Sequence, residues 1–544
     1  MRRKLPSFIS FFAILTFCLL LFLPFQSMAE PGEQAPGRTM ARQATKARAI
    51  WITTDHSKHK ALQQDFTSGS QITEACLSCH SEAAAQFRET IHWTWLDPNS
   101  DKETLVGKAG HSVNNFCVST NMMHDESCSD CHAGWNGKKD GVNCLVCHGQ
   151  KDFDLKEALA DVKYFYDSGD AESMEFAKEI QADIQEAVQS IGRPTRKHCG
   201  SCHFRGGGGD GVKHGDLDSS MTNPDKALDV HMDYKGKNFQ CVRCHTTRLH
   251  HVAGRVYSTP AVTHRRSLIE DDLTPKIMCE SCHTSKPHKS HTKANDHTDK
   301  VACQSCHIPT FARGNPTKLR WDWSKAGKRK DGKPYTVEGP FGKHTYLSIK
   351  GEMKWGKNVQ PEYFWFNGAI NTLTVKDVID PSKLVRVSWP VGSLGDKNSR
   401  IFPFKVHRGR QPYDKVYKRL LGALLSGEDG YWNTLDWQSA LTKGMKFLNM
   451  PYSGEFDFVD TSYVFPTTHQ VAPKDHRLAC NECHARNGRL ENLAGFYMPG
   501  RDASGILDFL GWLTVIGTIL GVLSHGAGRV FFKSYFRERK RRKQ

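Results

Sequence analysis

The sequence predicts a mainly α-helical protein with extensive irregular loops, and three observations lead to this fold class. The pattern Cys-x-x-Cys-His occurs eight times, uses sixteen of the eighteen cysteines, and is separated by short segments rich in Gly, Pro and polar residues. A stretch of 172 residues, 308–479, contains no such motif and is rich in aromatic residues. Apolar segments lie near both ends of the chain. We therefore expect a motif-rich body, a motif-free lobe and a terminal membrane segment.

The repeated motif is the attachment signature of a c-type haem. Its two thiols bond covalently to the porphyrin, and its histidine supplies one axial ligand to iron. Zinc knuckles, iron–sulfur clusters and redox disulfides also use paired cysteines, but none of them needs a histidine after every second cysteine. We therefore expect a multihaem cytochrome c fold packed around eight covalently bound haem c groups. In chain order, sites one to eight are Cys76/Cys79/His80, Cys128/Cys131/His132, Cys144/Cys147/His148, Cys199/Cys202/His203, Cys241/Cys244/His245, Cys279/Cys282/His283, Cys303/Cys306/His307 and Cys480/Cys483/His484.

The two ends indicate secretion and anchoring. Residues 1–29 combine basic residues, an apolar core and small residues before a cleavage point, which predicts a signal peptide. Residues 506–523 carry one charge, Asp508, and eight Lys or Arg residues follow, which predicts a transmembrane helix with a cytoplasmic tail. An amphipathic helix lying on the membrane is the alternative. The expected segments are 1–29 (signal peptide), 30–307 (seven motifs), 308–479 (lobe), 480–505 (eighth motif) and 506–544 (anchor and tail), with a periplasmic ectodomain held at the inner membrane.

The formal charge of +16 does not indicate a nucleic-acid-binding protein. The first 29 residues contribute +3 and residues 506–544 contribute +6, which leaves +7 on residues 30–505. Eight haems would add about sixteen propionates, so the assembled ectodomain should be neutral or acidic. We expect no nucleic-acid partner.

Three helices are predicted outside the motifs. Residues 170–191 have apolar residues at helical spacing, Asp170 as the N-cap, and Gly192 as the stop signal. In the lobe, helices are expected at about 413–425 and 432–450.

Nineteen histidines outside the motifs are available as second axial ligands. Two histidines make an iron low-spin and suited to electron transfer, whereas an enzyme needs one iron with an exchangeable sixth ligand. We expect seven of these histidines to be distal ligands, with His214, His251 and His476 in reserve. The seven are His56, His92, His231, His250, His288, His297 and His469.

Seven distal histidines leave one iron for another ligand. Cys117 is the one cysteine outside both the motifs and the apolar N-terminal segment, and a small buried hydrophobe is its simplest interpretation. Lys213 follows four consecutive glycines and Asp210, and a solvated surface lysine is its simplest interpretation. Lysine binds iron only as the neutral amine, so its pKa would have to be lowered.

The sequence resembles the octahaem tetrathionate reductase family of c-type cytochromes. The resemblance rests on the eight motifs and on four segments: 114–117, which ends at Cys117, 199–216, 300–309 and 402–413. In that family the second haem is catalytic, with a lysine as its distal ligand and an aspartate and a cysteine beside it. The resemblance therefore implies that Lys213 is the distal ligand of site two, with Asp210 and Cys117 as its catalytic neighbours.

The resemblance implies a reductase of tetrathionate or a similar sulfur oxyanion. The periplasmic location and the membrane anchor are expected from the two ends of the chain, and the anchor is a departure from soluble members of that family. A nitrite or hydroxylamine redox enzyme is one alternative, disfavoured because no Cys-x-x-Cys-Lys motif is present and only Tyr497 lies between the last motif and the anchor. A non-catalytic electron conduit from the quinol pool is the other. The single anchor lacks a pair of histidines for a haem of its own, so we expect a membrane quinol dehydrogenase or cytochrome b as electron donor.

Overall fold

The structure, a computed structural model, describes residues 54–97, 100, 102–116, 118–119, 131–136, 141–254 and 277–542. The predicted signal peptide, Cys117 and Cys128 lie outside these ranges. The α-helices of the described residues are α1 Gly69–Leu77, α2 Ala83–Arg88, α3 Ile91–Thr94, α4 Leu145–His148, α5 Leu155–Ser168, α6 Ala171–Gln189, α7 Arg196–His203, α8 Cys279–His283, α9 Cys303–His307, α10 Tyr431–Thr434, α11 Trp437–Phe447, α12 Cys480–Cys483 and α13 Gly505–Arg541.

Two helices, α5 and α6, form the main helical hairpin of the motif body. Helix α6 begins where predicted, since the Asp170 carboxylate caps it by accepting a hydrogen bond from the Ser173 backbone N–H at 2.9 Å. Helix α5 was not predicted, and its C-terminus is set by Gly169 in the left-handed conformation. Leu159 and Ile184 pack in one buried cluster from the two helices. This hairpin gives the motif body a core made of side chains.

The motif-free lobe is built on a β-sheet. The strands of the described residues are β1 Thr247–Arg248, β2 His251–Val252, β3 Thr317–Asp322, β4 Arg329–Lys330, β5 Lys333–Pro334, β6 Thr336–Glu338, β7 His344–Leu347, β8 Gly351–Gly356, β9 Glu362–Phe366, β10 Ile370–Thr372, β11 Val385–Arg386, β12 Ser388–Pro390, β13 Arg400–Asp414 and β14 Phe456–Pro466. The main sheet has the order β11-β14-β13-β3-β8-β7-β6, and β9 also pairs with β13. The long strand β13 is therefore central, antiparallel to β14 and β9 and parallel to β3.

The sheet corrects two predictions. The chain is not mainly α-helical, because the lobe is largely sheet and irregular loops. The helix expected at 413–425 is absent: β13 continues to Asp414, whose carboxylate accepts hydrogen bonds from the Val416 and Tyr417 backbone amides and turns the chain. The helix expected at 432–450 is present as two pieces, α10 and α11.

The lobe is joined to the motif body through the start of β13. The Ile401 carbonyl accepts hydrogen bonds from the Ala302 N–H at 3.0 Å and from the Ser305 hydroxyl at 2.7 Å, next to and within α9. Arg400 forms an ion pair with Glu280 in α8. The lobe thus supports two attachment helices directly, and haem sites six and seven should depend on its folding.

Helix α13 is the C-terminal membrane candidate. It is 37 residues long, its most apolar 18-residue window has a mean hydropathy of 2.0, and none of that window is buried in the protein. A helix of this length extends for about 55 Å, which exceeds the roughly 30 Å hydrocarbon core of a bilayer. Its basic end, around Arg539 and Arg541, therefore reaches beyond the apolar part.

Candidate haem sites

Six motif histidines each face one histidine from elsewhere in the chain. The ring centres of every pair are between 6.0 and 6.4 Å apart, whereas the angle between the ring planes varies from 5° to 80°. The pairs are His80 with His56, His203 with His92, His283 with His231, His245 with His469, His307 with His288, and His484 with His297.

This separation fits an iron between the two rings. A nitrogen–metal bond is about 2 Å and each nitrogen lies about 1.2 Å from its ring centre, so two imidazoles on one metal have ring centres about 6.3 Å apart. Direct stacking of two rings would bring them closer, as in the Phe116–His407 pair at 3.8 Å. The histidines present therefore fit the haem groups that the motifs predict.

His250 and His148 form a seventh combination. Burial lowers the pKa of His250, and the charge of His148 lowers it further, so the two rings lie within electrostatic range. His148 donates from Nδ1 to the Gly192 carbonyl at 3.0 Å, which leaves Nε2 for a metal. Six of the seven histidines expected to be distal ligands thus face a motif histidine, and the seventh, His250, lies within electrostatic range of one.

Burial lowers the pKa of two of the motif imidazoles well below the usual value. It lowers the pKa of His203 to about 4, and the charge of His92 is the next largest cause. Burial also lowers the pKa of His307 to about 4, and the charge of His288 lowers it further. A neutral imidazole has a lone pair to donate, so this is the form that binds a metal.

Site two is only partly described, and it differs from the others. His132 is buried, and its Nε2 donates to the Trp93 carbonyl at 2.9 Å. Lys213 lies within electrostatic range of Cys131, and its Nζ is 5.5 Å from the Phe465 ring centre. Burial lowers the pKa of Lys213, while the Cys131 thiolate opposes that change. Lys213 is thus a half-buried residue whose amine lies within electrostatic range of the attachment segment of site two.

The glycine loop, residues 206–211, shapes the backbone that leads to Lys213. Gly207 has φ +78°, and a Cβ there would lie 3.1 Å from the Val212 side chain, so a larger residue would be strained. Asp210 accepts hydrogen bonds from the Ser219 N–H and hydroxyl, both at 2.7 Å, and from the Asn315 amide at 3.0 Å. The Asp210 carboxylate therefore fastens this loop to two neighbouring segments.

Two residues that the sequence analysis did not select, Lys405 and His407, contact the loop and the neighbouring segment 114–116 from the lobe. Lys405 is 1% exposed and donates from Nζ to the Val212 and Lys213 carbonyls, both at 2.9 Å. His407 stacks on Phe116, and its Nδ1 lies 2.8 Å from the Asn115 side-chain oxygen. Segments 114–116, 206–213 and 402–413, far apart in the sequence, thus meet. The sequence offered one indication of this contact, because all three segments lie within those that carry the family resemblance.

Cysteines from different motifs contact one another. Hydrogen bonding and burial raise the pKa of one thiol in each of three pairs, in which the partners are Cys76 with Cys144, Cys199 with Cys241, and Cys303 with Cys279. The Sγ atoms of Cys279 and Cys303 also lie within 4.8 Å of a Glu280 oxygen. Both cysteines belong to attachment motifs, so this group is part of haem sites six and seven. The attachment points of sites one and three, of sites four and five, and of sites six and seven are therefore adjacent.

The second cysteines of sites one and six, Cys79 and Cys282, have different surroundings from the first cysteines of those motifs. Cys79 is exposed, and its Sγ accepts a hydrogen bond from the neighbouring Ser78 hydroxyl at 3.9 Å. Cys282 is half-buried within electrostatic range of Cys244, whose pKa is raised to about 11, mainly by burial and further by the charge of Cys282. The assignment of Cys79 and Cys282 as attachment points therefore rests on the motif spacing and stays a prediction.

The segment that carries His469 is fixed by a buried carboxylate. The Oδ2 atom of Asp216 accepts hydrogen bonds from the Thr468 N–H at 2.8 Å, the His469 N–H at 2.9 Å and His469 Nδ1 at 3.1 Å. Burial by itself would raise the pKa of Asp216, but the contacts with His469 outweigh it and lower that pKa to about 2. Asp216 is thus an ionised group inside the fold.

This chain is similar to known c-type cytochromes. A family model described as "Cytochrome c bacterial" matches residues 318–487. The crystal structure of octaheme cytochrome c from Shewanella oneidensis is similar with a TM-score of 0.66 and 38% sequence identity, over 80% of this chain and 95% of that chain. An uncharacterized protein from Archaeoglobus fulgidus is 20% identical over 238 residues, which are 36% of this chain and 79% of the relative.

Proposed function

This chain belongs to the octahaem c-type cytochromes, and from that membership we propose that it is a membrane-anchored, extracytoplasmic oxidoreductase that reduces tetrathionate or a similar sulfur oxyanion at site two. The haem groups, when bound, supply iron centres that take up and pass on single electrons. We assign eight of them, one for each motif. Cys117, Asp210 and Lys213 are the proposed active-site residues.

The observation that carries the proposal is the difference between site two and the other seven. Six motif histidines face a second histidine at the separation that a shared metal requires, and His148 lies within electrostatic range of His250, which supports low-spin sites suited to electron transfer. Within electrostatic range of Cys131, in contrast, lies the amine of Lys213. An amine ligand would leave a site open to exchange when it is displaced, and the released amine, once it has taken up a proton from solvent, would pair with an oxyanion as the ammonium.

The amine of Lys213 is the group that we propose for binding an anionic substrate. The buried Lys405 of strand β13 does not serve this purpose, because its Nζ already donates to the Val212 and Lys213 carbonyls and to the Thr317 hydroxyl. The overall reaction takes two electrons and splits the central sulfur–sulfur bond of tetrathionate to give two thiosulfates. Cys117, outside the described residues, would act as a thiolate in this chemistry, because such bonds open by thiolate displacement.

We propose that electrons arrive from the membrane. The last motif, at Cys480 and Cys483, precedes helix α13 by about twenty residues, which supports entry near the bilayer. A quinol dehydrogenase or a membrane cytochrome b would be the donor. The anchor and its basic end support placement in an inner membrane, with the ectodomain in the periplasm.

Lys213→Leu tests the ligand assignment. The full chain, matured with haem, should change one of its eight irons from low to high spin, because leucine has no donor atom. The exposed Lys226, fifteen residues before Cys241, provides a matched control, and Lys226→Leu should leave the spin state unchanged. A Lys213→Leu protein with the spectrum of the wild type would remove Lys213 from the ligand set.

Substrate class is tested on the full chain in detergent, adsorbed on an electrode. We expect the catalytic current with tetrathionate to exceed the currents with nitrite and hydroxylamine and to be lost in Cys117→Ala. Dominant currents with the nitrogen compounds would instead assign a nitrogen redox enzyme.

A non-catalytic electron conduit is a second candidate, favoured by the adjacent attachment points of sites one and three, four and five, and six and seven. Carbon monoxide separates the two candidates. A conduit with two strong ligands on every iron binds none, whereas the proposed enzyme binds carbon monoxide at one reduced site.

A further inference from the structure

The hydrogen-bond acceptor beside His469 differs in charge from those beside six other histidines of the haem sites. Asp216 is 2% exposed and accepts the Nδ1–H of His469 at 3.1 Å. The six other Nδ1 atoms face neutral oxygens: His148 with Gly192 O at 3.0 Å, His245 with Ala253 O at 2.7 Å, His250 with the Gln86 side-chain oxygen at 3.2 Å, His288 with the Asn295 side-chain oxygen at 3.0 Å, His297 with Lys293 O at 3.3 Å, and His484 with Pro499 O at 3.0 Å.

His231 has a carboxylate nearby but not in the same arrangement. Its Nδ1 is 4.0 Å from Asp229, beyond hydrogen-bonding distance. The Asp229 Oδ1 atom instead accepts the backbone N–H groups of His231 and Met232, at 2.8 and 2.9 Å. Among the ring hydrogen bonds given above, the one from His469 to Asp216 therefore ends on an anion.

We propose that Asp216 is a positioning residue that lowers the reduction potential of site five through His469. A carboxylate that accepts the Nδ1–H of a metal-bound imidazole makes the ring more basic and more anionic. An anionic ligand stabilises the ferric iron, which carries one more positive charge than the ferrous iron. The inference rests on the ligation of site five by His245 and His469 proposed above.

The fold holds this hydrogen bond in place from both sides. On one side, the segment after His469 is fixed by two more buried aspartates, since Gln470 donates to Asp218 at 3.3 Å and the Val471 N–H donates to Asp229 at 3.1 Å. On the other side, the Gly215 carbonyl accepts the Ala312 N–H. The carboxylate can therefore turn away from His469 only if one of these segments moves.

Gly215 also explains why the loop can follow this path. A Cβ on Gly215 would lie 2.3 Å from the Phe311 ring, so the backbone passes too close for any side chain. Lys213 is three residues before Asp216, and the same short loop therefore supplies the amine beside site two and the carboxylate beside site five. Sites two and five are therefore connected by one short stretch of backbone.

Three variants of the full, haem-loaded chain test the inference in a redox titration followed by absorbance and electron paramagnetic resonance. Asp216→Asn keeps the size of the side chain and removes its charge, so one of the eight midpoint potentials should shift upward. Asn295→Asp places a carboxylate on the Nδ1 of His288, so one potential, that of site seven, should shift downward. The matched control is Asp414→Asn, because Asp414 is also buried but its carboxylate accepts from the Val416, Tyr417 and Ser453 backbone amides, and none of these bonds involves a histidine. It should shift no potential.

The outcomes separate this inference from the proposed ligation. His469→Ala should convert one low-spin iron to high spin, and an unchanged low-spin count would refute the ligand assignment itself. If that count falls but Asp216→Asn leaves every potential in place, the tuning role of Asp216 is refuted while the ligation stands. If Asp216→Asn fails to mature, Asn295→Asp decides, and the absence of a downward shift would overturn the inference.

Discussion

Lys405→Met should loosen the loop that carries Lys213. The Lys405 side chain fills a buried site in β13 and donates to the Val212 and Lys213 carbonyls and to the Thr317 hydroxyl. Methionine has a similar length and no donor, so the substitution leaves these acceptors without their partner in the interior.

The size of the effect follows from the two carbonyls. Each buried acceptor that loses its partner costs about 1–3 kcal/mol. Part of this loss is offset, because the buried amine of Lys405 is itself unfavourable: burial disfavours its charge and lowers its pKa. A net loss of about 2 kcal/mol in local stability corresponds to an opening equilibrium about 30-fold more favourable.

Hydrogen exchange with mass spectrometry measures this opening in the haem-loaded chain. Peptides covering residues 205–216 should exchange about 30-fold faster in Lys405→Met than in the wild type. Arg410→Met is the matched control, because Arg410 lies on the same strand but pairs with Asp460 at the surface. Unchanged exchange in residues 205–216, at a normal haem content, would refute the role of Lys405 in fastening the loop.

Three further predictions concern other parts of the molecule. Asn115→Ala removes hydrogen bonds to the His407 carbonyl and ring, and we expect a loss of about 2 kcal/mol in denaturant unfolding; a loss below about 0.5 kcal/mol would contradict this. Burial raises the pKa of Tyr463 to about 12, so its contribution to stability is complete below pH 10 and is lost as pH rises to about 12. Tyr463→Phe should therefore flatten the decline of stability in that window, and an unchanged slope would argue against it. A chain ending at residue 504 should leave the membrane fraction and keep the wild-type haem spectrum; retention on membranes would show that helix α13 is not the anchor.

Features that depend on residues close together in the sequence could be predicted from the sequence alone. Two thiols and a histidine within five residues define an attachment site wherever the chain goes, and Asp170 caps α6 through a residue three positions away. The apolar run 506–523 predicted the core of helix α13 for the same reason. In each case the groups that interact are close in the sequence.

The sheet of the lobe is where sequence patterns failed. Strand β13 is buried on both faces over most of its length, with Arg408 as its exposed residue. Such a strand lacks the alternation of apolar and polar residues that marks a half-buried strand, and its end at 413–414 was mistaken for the start of a helix. Only its partners β3, β9 and β14 make this segment a strand.

The sequence by itself determined that the chain carries attachment motifs, a histidine supply and an apolar terminal segment. It could not determine which histidine meets which motif, because spacing along a loop does not fix distance in space. His469 and Asp216 are 253 residues apart, and Asn115 and His407 are 292 apart, yet each pair shares a hydrogen bond. Those contacts exist because the lobe folds back on the motif body, and burial then makes each of them specific.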